Sequence, residues 1–93
     1  MSVNFLDDAK LDLLNGIEWF ESINSRLGDS LESEFYLAVD RILDNPELFA
    51  ANAKVYRACR IKKFTAVIHF RLDGDVVVIA RLLINGREDL SLR

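Results

Sequence analysis

Apolar residues recur every three or four positions in two stretches of the N-terminal half, which is the spacing of an amphipathic helix. The first stretch predicts a helix over about residues 7–24. Its apolar positions are Leu6, Ala9, Leu13, Ile17 and Phe20. The second predicts a helix from Asp29, where a capping-box pattern begins, to Asn45-Pro46, because the residue before proline disfavours helix. The short link at 24–29 then makes the two helices an antiparallel hairpin.

The C-terminal half has the pattern of strands. Residues 64–72 alternate between apolar and more polar positions, and Asp73-Gly74 is typical of a two-residue hairpin turn. This turn predicts that Leu72 pairs with Asp75. The same register pairs Phe70 with Val77, Ala66 with Arg81 and Thr65 with Leu82. The second strand of the hairpin is apolar on both faces, which is typical of a strand covered on both sides.

Two shorter segments complete the order of elements. Ser2 to Phe5 is expected to be an edge strand, and Val55 to Ile61 a strand that precedes the hairpin. The order βααβββ predicts one α+β domain over residues 1–93, with the helical hairpin packed on one face of a small antiparallel sheet.

Two helices cover only one face of such a sheet. The other face is predicted to present an apolar patch beside two polar side chains. Its members are Val67, His69, Arg71, Val76, Val78, Ala80 and Leu82. An apolar patch of this kind often marks an interface, so this face is interpreted as a binding surface for a partner or for a second copy.

Composition narrows the class of protein. Half of the residues are hydrophobic, but no window of eighteen is free of charge, so no membrane span is expected. The N-terminus lacks the basic and apolar regions of a signal peptide. The single cysteine, Cys59, forms no intramolecular disulfide and fits a reducing cytoplasm.

Charge is distributed unevenly along the chain. Residues 1–53 hold three basic and eleven acidic residues, whereas residues 54–93 hold nine basic and four acidic residues. The basic half is therefore expected to meet something anionic or an acidic protein. The alternative is that the two halves attract each other within the domain.

The bases of the C-terminal half are the main candidates for chemistry, because bases on strands can hold phosphates and stabilise developing charge. Candidates for target binding are Arg60, Lys62, Lys63 and Arg87, and candidates for catalysis are Arg57, Lys62, Lys63 and Arg87. Strand alternation places Arg57 on the opposite face from Arg60, so the set cannot serve a single site. The alternative for any one base is a solvated strand edge.

Other chemistry finds little support in the sequence. No metal-ligand cluster and no Gly-rich phosphate loop is present, so no metal or cofactor is expected. Cys59 and His69 form a conceivable nucleophile pair on neighbouring strands, although a lone cysteine is more often a small buried hydrophobe. Arg81, placed by the register at a mostly apolar position, needs an acidic partner such as Glu18 or Asp40.

Three runs of residues stand out together. They are Gly-Ile-Glu-Trp-Phe-Glu-Ser-Ile-Asn-Ser-Arg-Leu-Gly-Asp-Ser-Leu at 16–31, Arg-Ile-Leu-Asp-Asn-Pro-Glu-Leu-Phe at 41–49 and Tyr-Arg-Ala-Cys-Arg-Ile-Lys-Lys-Phe at 56–64. An apolar strand, Asp-Gly-Asp, a second apolar strand and Gly-Arg-Glu-Asp follow. This ordered set, which covers nearly the whole chain, resembles the RelE/ParE toxin superfamily.

The resemblance implies the toxin of a type II toxin–antitoxin pair, with a helical hairpin on an antiparallel sheet. A cognate antitoxin would lay a segment over the toxin, and the open sheet face is the expected place for it. For the oligomeric state, a homodimer and a heterotetramer with the antitoxin are the alternatives. RelE-like members of the superfamily cut mRNA in the ribosome, whereas ParE-like members poison DNA gyrase.

The departures from the pattern favour the ParE-like or plasmid-stabilisation branch. Thr65 and Ala66 stand where many relatives have Pro and Tyr, and Asn85 and Glu88 replace a common His and Arg. No aromatic residue follows Phe70. The missing His and aromatic count against an RNase, so a gyrase inhibitor that is not an enzyme is expected. A ribosome-dependent endonuclease and a non-toxic interaction module are the alternatives.

Overall fold

The computed structural model describes residues 1–49, 51–52 and 55–84. Five strands and two helices make up this part of the chain. They are β1 (Ser2–Phe5), α1 (Asp7–Ile23), α2 (Ser25–Asp44), β2 (Ala51–Asn52), β3 (Tyr56–Ile61), β4 (Ala66–Asp73) and β5 (Val76–Ile84), with 3-10 turns at Pro46–Leu48 and Lys62–Phe64.

The strands form one sheet in the order β1-β5-β4-β3-β2. The predicted α+β class and the helical hairpin on a small sheet are confirmed. The sheet is mixed rather than wholly antiparallel, because β1 pairs parallel with β5. A parallel pair needs a long connection between its strands, and here everything from α1 to β4 supplies it.

The connection between the helices is shorter than predicted. Helix α1 matches the prediction, but α2 begins at Ser25 rather than near Asp29. Asn24 alone joins the two helices, and its side chain accepts a hydrogen bond from the Arg26 N–H at 2.9 Å. Gly28, which falls in the predicted link at 24–29, is buried inside α2. A Cβ there would lie 3.0 Å from the Ile17 carbonyl oxygen, so glycine allows the helices to approach closely.

The central hairpin turns one residue later than predicted. Gly74, at φ +62°, and Asp75 form the turn, so Asp73 pairs with Val76 and Leu72 with Val77. The expected pair Leu72–Asp75 is therefore wrong. Gly74 occupies the left-handed conformation that glycine adopts without strain.

A bulge in β5 changes the register further from the turn. Phe70 pairs with Ile79 but His69 pairs with Arg81, which leaves Ala80 as the extra residue. Beyond the bulge, Leu82 lies opposite Ile68, so the predicted pairs Ala66–Arg81 and Thr65–Leu82 are also wrong. Each residue of β5 after Ala80 therefore faces the opposite side from that expected.

One apolar core fills the space between the helical hairpin and the sheet. Its fully buried large side chains are Phe35, Phe70, Leu31, Ile42, Ile61, Ile68 and Ile79. Both helices lie on this face, and no helix within residues 1–49, 51–52 and 55–84 covers the other face. No helix in the described part of the chain is long and apolar enough to cross a membrane.

Candidate partner-binding surfaces

The sheet face opposite the helices carries fewer exposed apolar side chains than predicted. Val67, His69, Arg71 and Val76 are half-buried on this face. Val78 lies there as well, between Asn4 on β1 and Arg71 on β4, but its side chain is only 3% exposed. The accessible part of the face is therefore centred on Val67, His69, Arg71 and Val76.

Leu82 is not on the open face. The bulge turns it toward Ile68 and into the core beneath the helices, where it is 3% exposed. Its expected place opposite β4 on the open face is taken by Leu83, which pairs with Val67 and is half-buried. The prediction of Leu82 as an interface residue is wrong for this reason.

Arg81 has the acidic partner that its position requires, but the partner is neither Glu18 nor Asp40. Asp12 on α1 accepts hydrogen bonds from Arg81 Nε at 2.7 Å and Nη2 at 3.0 Å. Its Oδ2 also accepts from the Leu82 backbone N–H at 2.9 Å. Strand β1 ends at Phe5 and does not pair with β5 beyond Ile79. Asp12 therefore accepts the hydrogen bond of a β5 backbone N–H that β1 does not reach.

A second candidate surface is formed by bases at the end of β3 and on α2. Arg60, Lys62 and Lys63 are exposed around the β3–β4 connection. Lys63 Nζ donates to Ser30 Oγ on α2 at 2.8 Å, which ties the connection to the helix. Arg41, which the sequence analysis did not single out, joins this group: its Nη2 donates to the Arg60 carbonyl oxygen at 3.3 Å.

A groove of about 540 Å³ runs between these bases. Its lining residues are Glu34, Leu37, Arg41, Arg60, Ile61, Lys62 and Lys63. A smaller hollow of about 200 Å³ lies beside the connection and shares Arg60, Ile61 and Lys62 with the groove. We call the larger hollow the basic groove. Four of its seven lining residues are cations, so it favours an anionic partner.

Arg57 is separated from the basic groove. Its Nη1 donates to the Phe49 carbonyl oxygen at 2.9 Å, at the start of β3, and alternation along β3 puts it on the face of Cys59. This confirms that Arg57 and Arg60 lie on opposite faces. Arg87, the remaining predicted base, lies outside the described residues.

The pairing of Cys59 with His69 is ruled out by the sheet. Cys59 faces the core and is 1% exposed. His69 pairs with Ala58, the residue before Cys59, and therefore faces the opposite side of the sheet. Burial raises the pKa of the Cys59 thiol, and the nearby Arg41 charge lowers it by less. At neutral pH the thiol is therefore protonated and behaves as a small hydrophobe. Among the described residues, no group of three or more potential ligands could hold a metal ion.

Cys59 is expected to resist alkylation in the folded protein. At pH 8, iodoacetamide should react at least about 100-fold more slowly with the folded chain than with the urea-unfolded chain, because burial limits access and keeps the thiol protonated. Mass spectrometry of quenched samples gives both rates. Equal rates would show that the sulfur is accessible and would contradict its place in the core.

Comparison with solved structures finds the same architecture in a chain of the chromosomal ParDE TA system from P. aeruginosa. The two chains align with a TM-score of 0.80, over 90% of this chain and 95% of that chain, at 15% sequence identity. No protein-family model matches the sequence, and neither does any curated protein. The likeness confirms the RelE/ParE-like fold that the sequence resemblance implied.

Proposed function

We propose that this chain is the toxin of a type II toxin–antitoxin pair and that it acts in the cytoplasm by binding DNA gyrase. The observation that carries the proposal is the structural match at TM-score 0.80 to a chain of a toxin–antitoxin system, which spans nearly the whole of both chains. The RelE/ParE pattern of the sequence supports the same assignment.

The arrangement of the bases favours a binding toxin over a nuclease. Cleavage of a phosphodiester requires several groups directed at one phosphate. Arg57 and Lys62 flank opposite ends of β3, a strand of six residues whose ends are about 17 Å apart. Arg57 also donates to a backbone carbonyl on the helix-covered side. These two candidates therefore do not converge, and a surface that binds protein needs no such convergence.

The basic groove is the proposed contact with the target. Arg60, Lys62 and Lys63 present three exposed cations at one end of the sheet, and none forms an ion pair with an acid of the described residues. Arg87 remains part of the proposed surface on the strength of the resemblance.

The open sheet face is the proposed contact with the antitoxin. Val67, His69, Arg71 and Val76 supply a half-buried strip on which an extended or helical segment can lie. Val78 and Leu82 are buried and are left out of this surface. Arg60 pairs with Val67 and lies on the same face, so the strip for the antitoxin and the basic groove for the target adjoin at this pair. The chain forms a homodimer or a heterotetramer with the antitoxin.

Induction of the chain alone in a bacterial host tests the proposal. Incorporation of labelled thymidine is expected to fall within minutes and before incorporation of labelled methionine, because gyrase inhibition stops replication first. The matched control is the double variant Arg60→Gln/Lys62→Gln, expected to accumulate as a folded chain with a weaker effect. An earlier fall in methionine incorporation would indicate the ribosome as target and would refute the proposal.

A further inference from the structure

The basic groove is lined partly by helix α2, which is otherwise rich in acidic residues. Arg41 is the only base in the second half of α2, and the described part of the chain places it beside Arg60 through the bond to the Arg60 carbonyl. That bond and the contact to Cys59 Sγ at 3.8 Å both use Nη2. A guanidinium carries five N–H donors, so Arg41 keeps donors for an anionic ligand.

The floor of the groove is apolar. Leu37 on α2 is 57% exposed, and it lines the groove together with Ile61. Among the described residues no aromatic side chain lines the groove, so this part of the chain offers nucleic-acid bases no stacking surface there. Glu34, which also lines the groove, repels phosphates and carboxylates alike and does not distinguish the two ligands. The lining therefore fits carboxylates next to an apolar side chain better than it fits a polynucleotide.

We infer that the basic groove binds an acidic polypeptide segment of the target, with an apolar side chain of that segment seated on Leu37 and its carboxylates paired with Arg41 and Lys62. This inference rests on the proposed function, since it describes the part of the target that the toxin holds. It adds Arg41 and Leu37, both on α2, to a surface that the sequence placed on strands alone.

A labelled peptide tests the chemistry of the groove. The probe is a fluorescein-labelled peptide of glutamate and aspartate with one central leucine, titrated with the full chain at low salt. Arg41→Gln, Lys62→Gln and Leu37→Ala are each expected to weaken binding about fivefold, the scale of one partly exposed contact. Replacing the central leucine of the peptide with serine should have a similar effect.

Matched controls separate the groove from general charge and hydrophobicity. Lys10→Gln removes an exposed base from α1, and Leu11→Ala removes a leucine that is 55% exposed on the same helix. Neither is expected to change affinity for the peptide. Labelled oligothymidylate is titrated in parallel and is expected to bind more weakly than the peptide.

Two results overturn the inference. One is oligothymidylate binding more tightly than the peptide and losing affinity in Arg41→Gln but not in Leu37→Ala, which would identify a nucleic-acid surface. The other is that Leu37→Ala and Leu11→Ala change the affinity for the peptide by the same factor. The proposed function is tested separately by inhibition of purified gyrase. If the Leu37→Ala variant inhibits gyrase as strongly as the unchanged chain, the inference about the groove is wrong but the proposed function stands. If the chain binds the peptide as expected but does not inhibit gyrase, the choice of gyrase as target is wrong but the inference about the groove stands.

Discussion

Replacing Leu82 with aspartate is expected to unfold most of the protein. Leu82 is 3% exposed and packs in the core beneath the helices. A carboxylate at this position has no described cation facing it from the core, so the cost in free energy of unfolding is expected to exceed about 4 kcal/mol. A single domain of this size has about 5–15 kcal/mol in total. Urea unfolding followed by circular dichroism measures the change.

Val67→Asp is the matched control for this prediction. Val67 lies on the neighbouring strand but on the open face, where it is half-buried, and its replacement is expected to cost about 1 kcal/mol or less. Without the bulge, Leu82 and Val67 would share a face and the two variants would behave alike. Similar melting curves for the two variants would therefore contradict the register of β5.

Asp12→Ala is expected to destabilise the chain by about 2–3 kcal/mol. The change removes both bonds from Arg81 and the acceptor of the Leu82 N–H at the edge of β5. Half of the Arg81 side chain is exposed, so water compensates part of the lost pairing. The lost acceptor for the backbone N–H is the larger part of the expected effect. Thermal and urea unfolding give the free-energy change.

Two variants make the Asp12 prediction specific. Asp12→Asn keeps an oxygen that can accept from the Leu82 N–H but removes the charge, so its loss is expected to be about half as large. Glu18→Ala removes the acid that the sequence suggested as the partner of Arg81, and it is expected to change stability by less than about 0.5 kcal/mol. A larger loss in Glu18→Ala than in Asp12→Ala would mean that Arg81 pairs elsewhere in solution.

Helix α1, the order of elements along the chain and the fold class were predictable because they depend on strong local patterns. The apolar period of α1 leads directly to the buried Ala9 and Leu13. The start of α2 was not predictable in the same way. Gly28 lies in the predicted link, and the close approach of Ile17 and Glu21 on α1 explains why a glycine stands inside the helix.

The register of β5 was missed because the strand is apolar on both faces. Alternation then carries no information about which residue faces the core, and the bulge at Ala80 leaves no mark in the sequence. This one irregularity moved Leu82 from the predicted interface to the core. It also turned Arg81 away from the core face, and Asp12 rather than Glu18 or Asp40 is its partner.

For the basic groove, only the bases of β3 and of the β3–β4 connection were predictable. Arg60, Lys62 and Lys63 were found because the C-terminal half is rich in bases. Arg41 was missed because it is an isolated base in an acidic helix, and its role depends on a contact with Arg60, nineteen residues away. Long-range contacts of this kind have no local signal in a single sequence.

A supercoiling assay with purified chain and purified gyrase tests the central claim most directly. The chain is expected to inhibit ATP-dependent supercoiling of relaxed plasmid, Lys10→Gln is expected to inhibit equally, and Arg60→Gln/Lys62→Gln is expected to inhibit less. Full supercoiling activity at a large molar excess of folded chain, together with cleavage of mRNA in a translating extract, would contradict the claim and identify a ribosome-dependent nuclease instead.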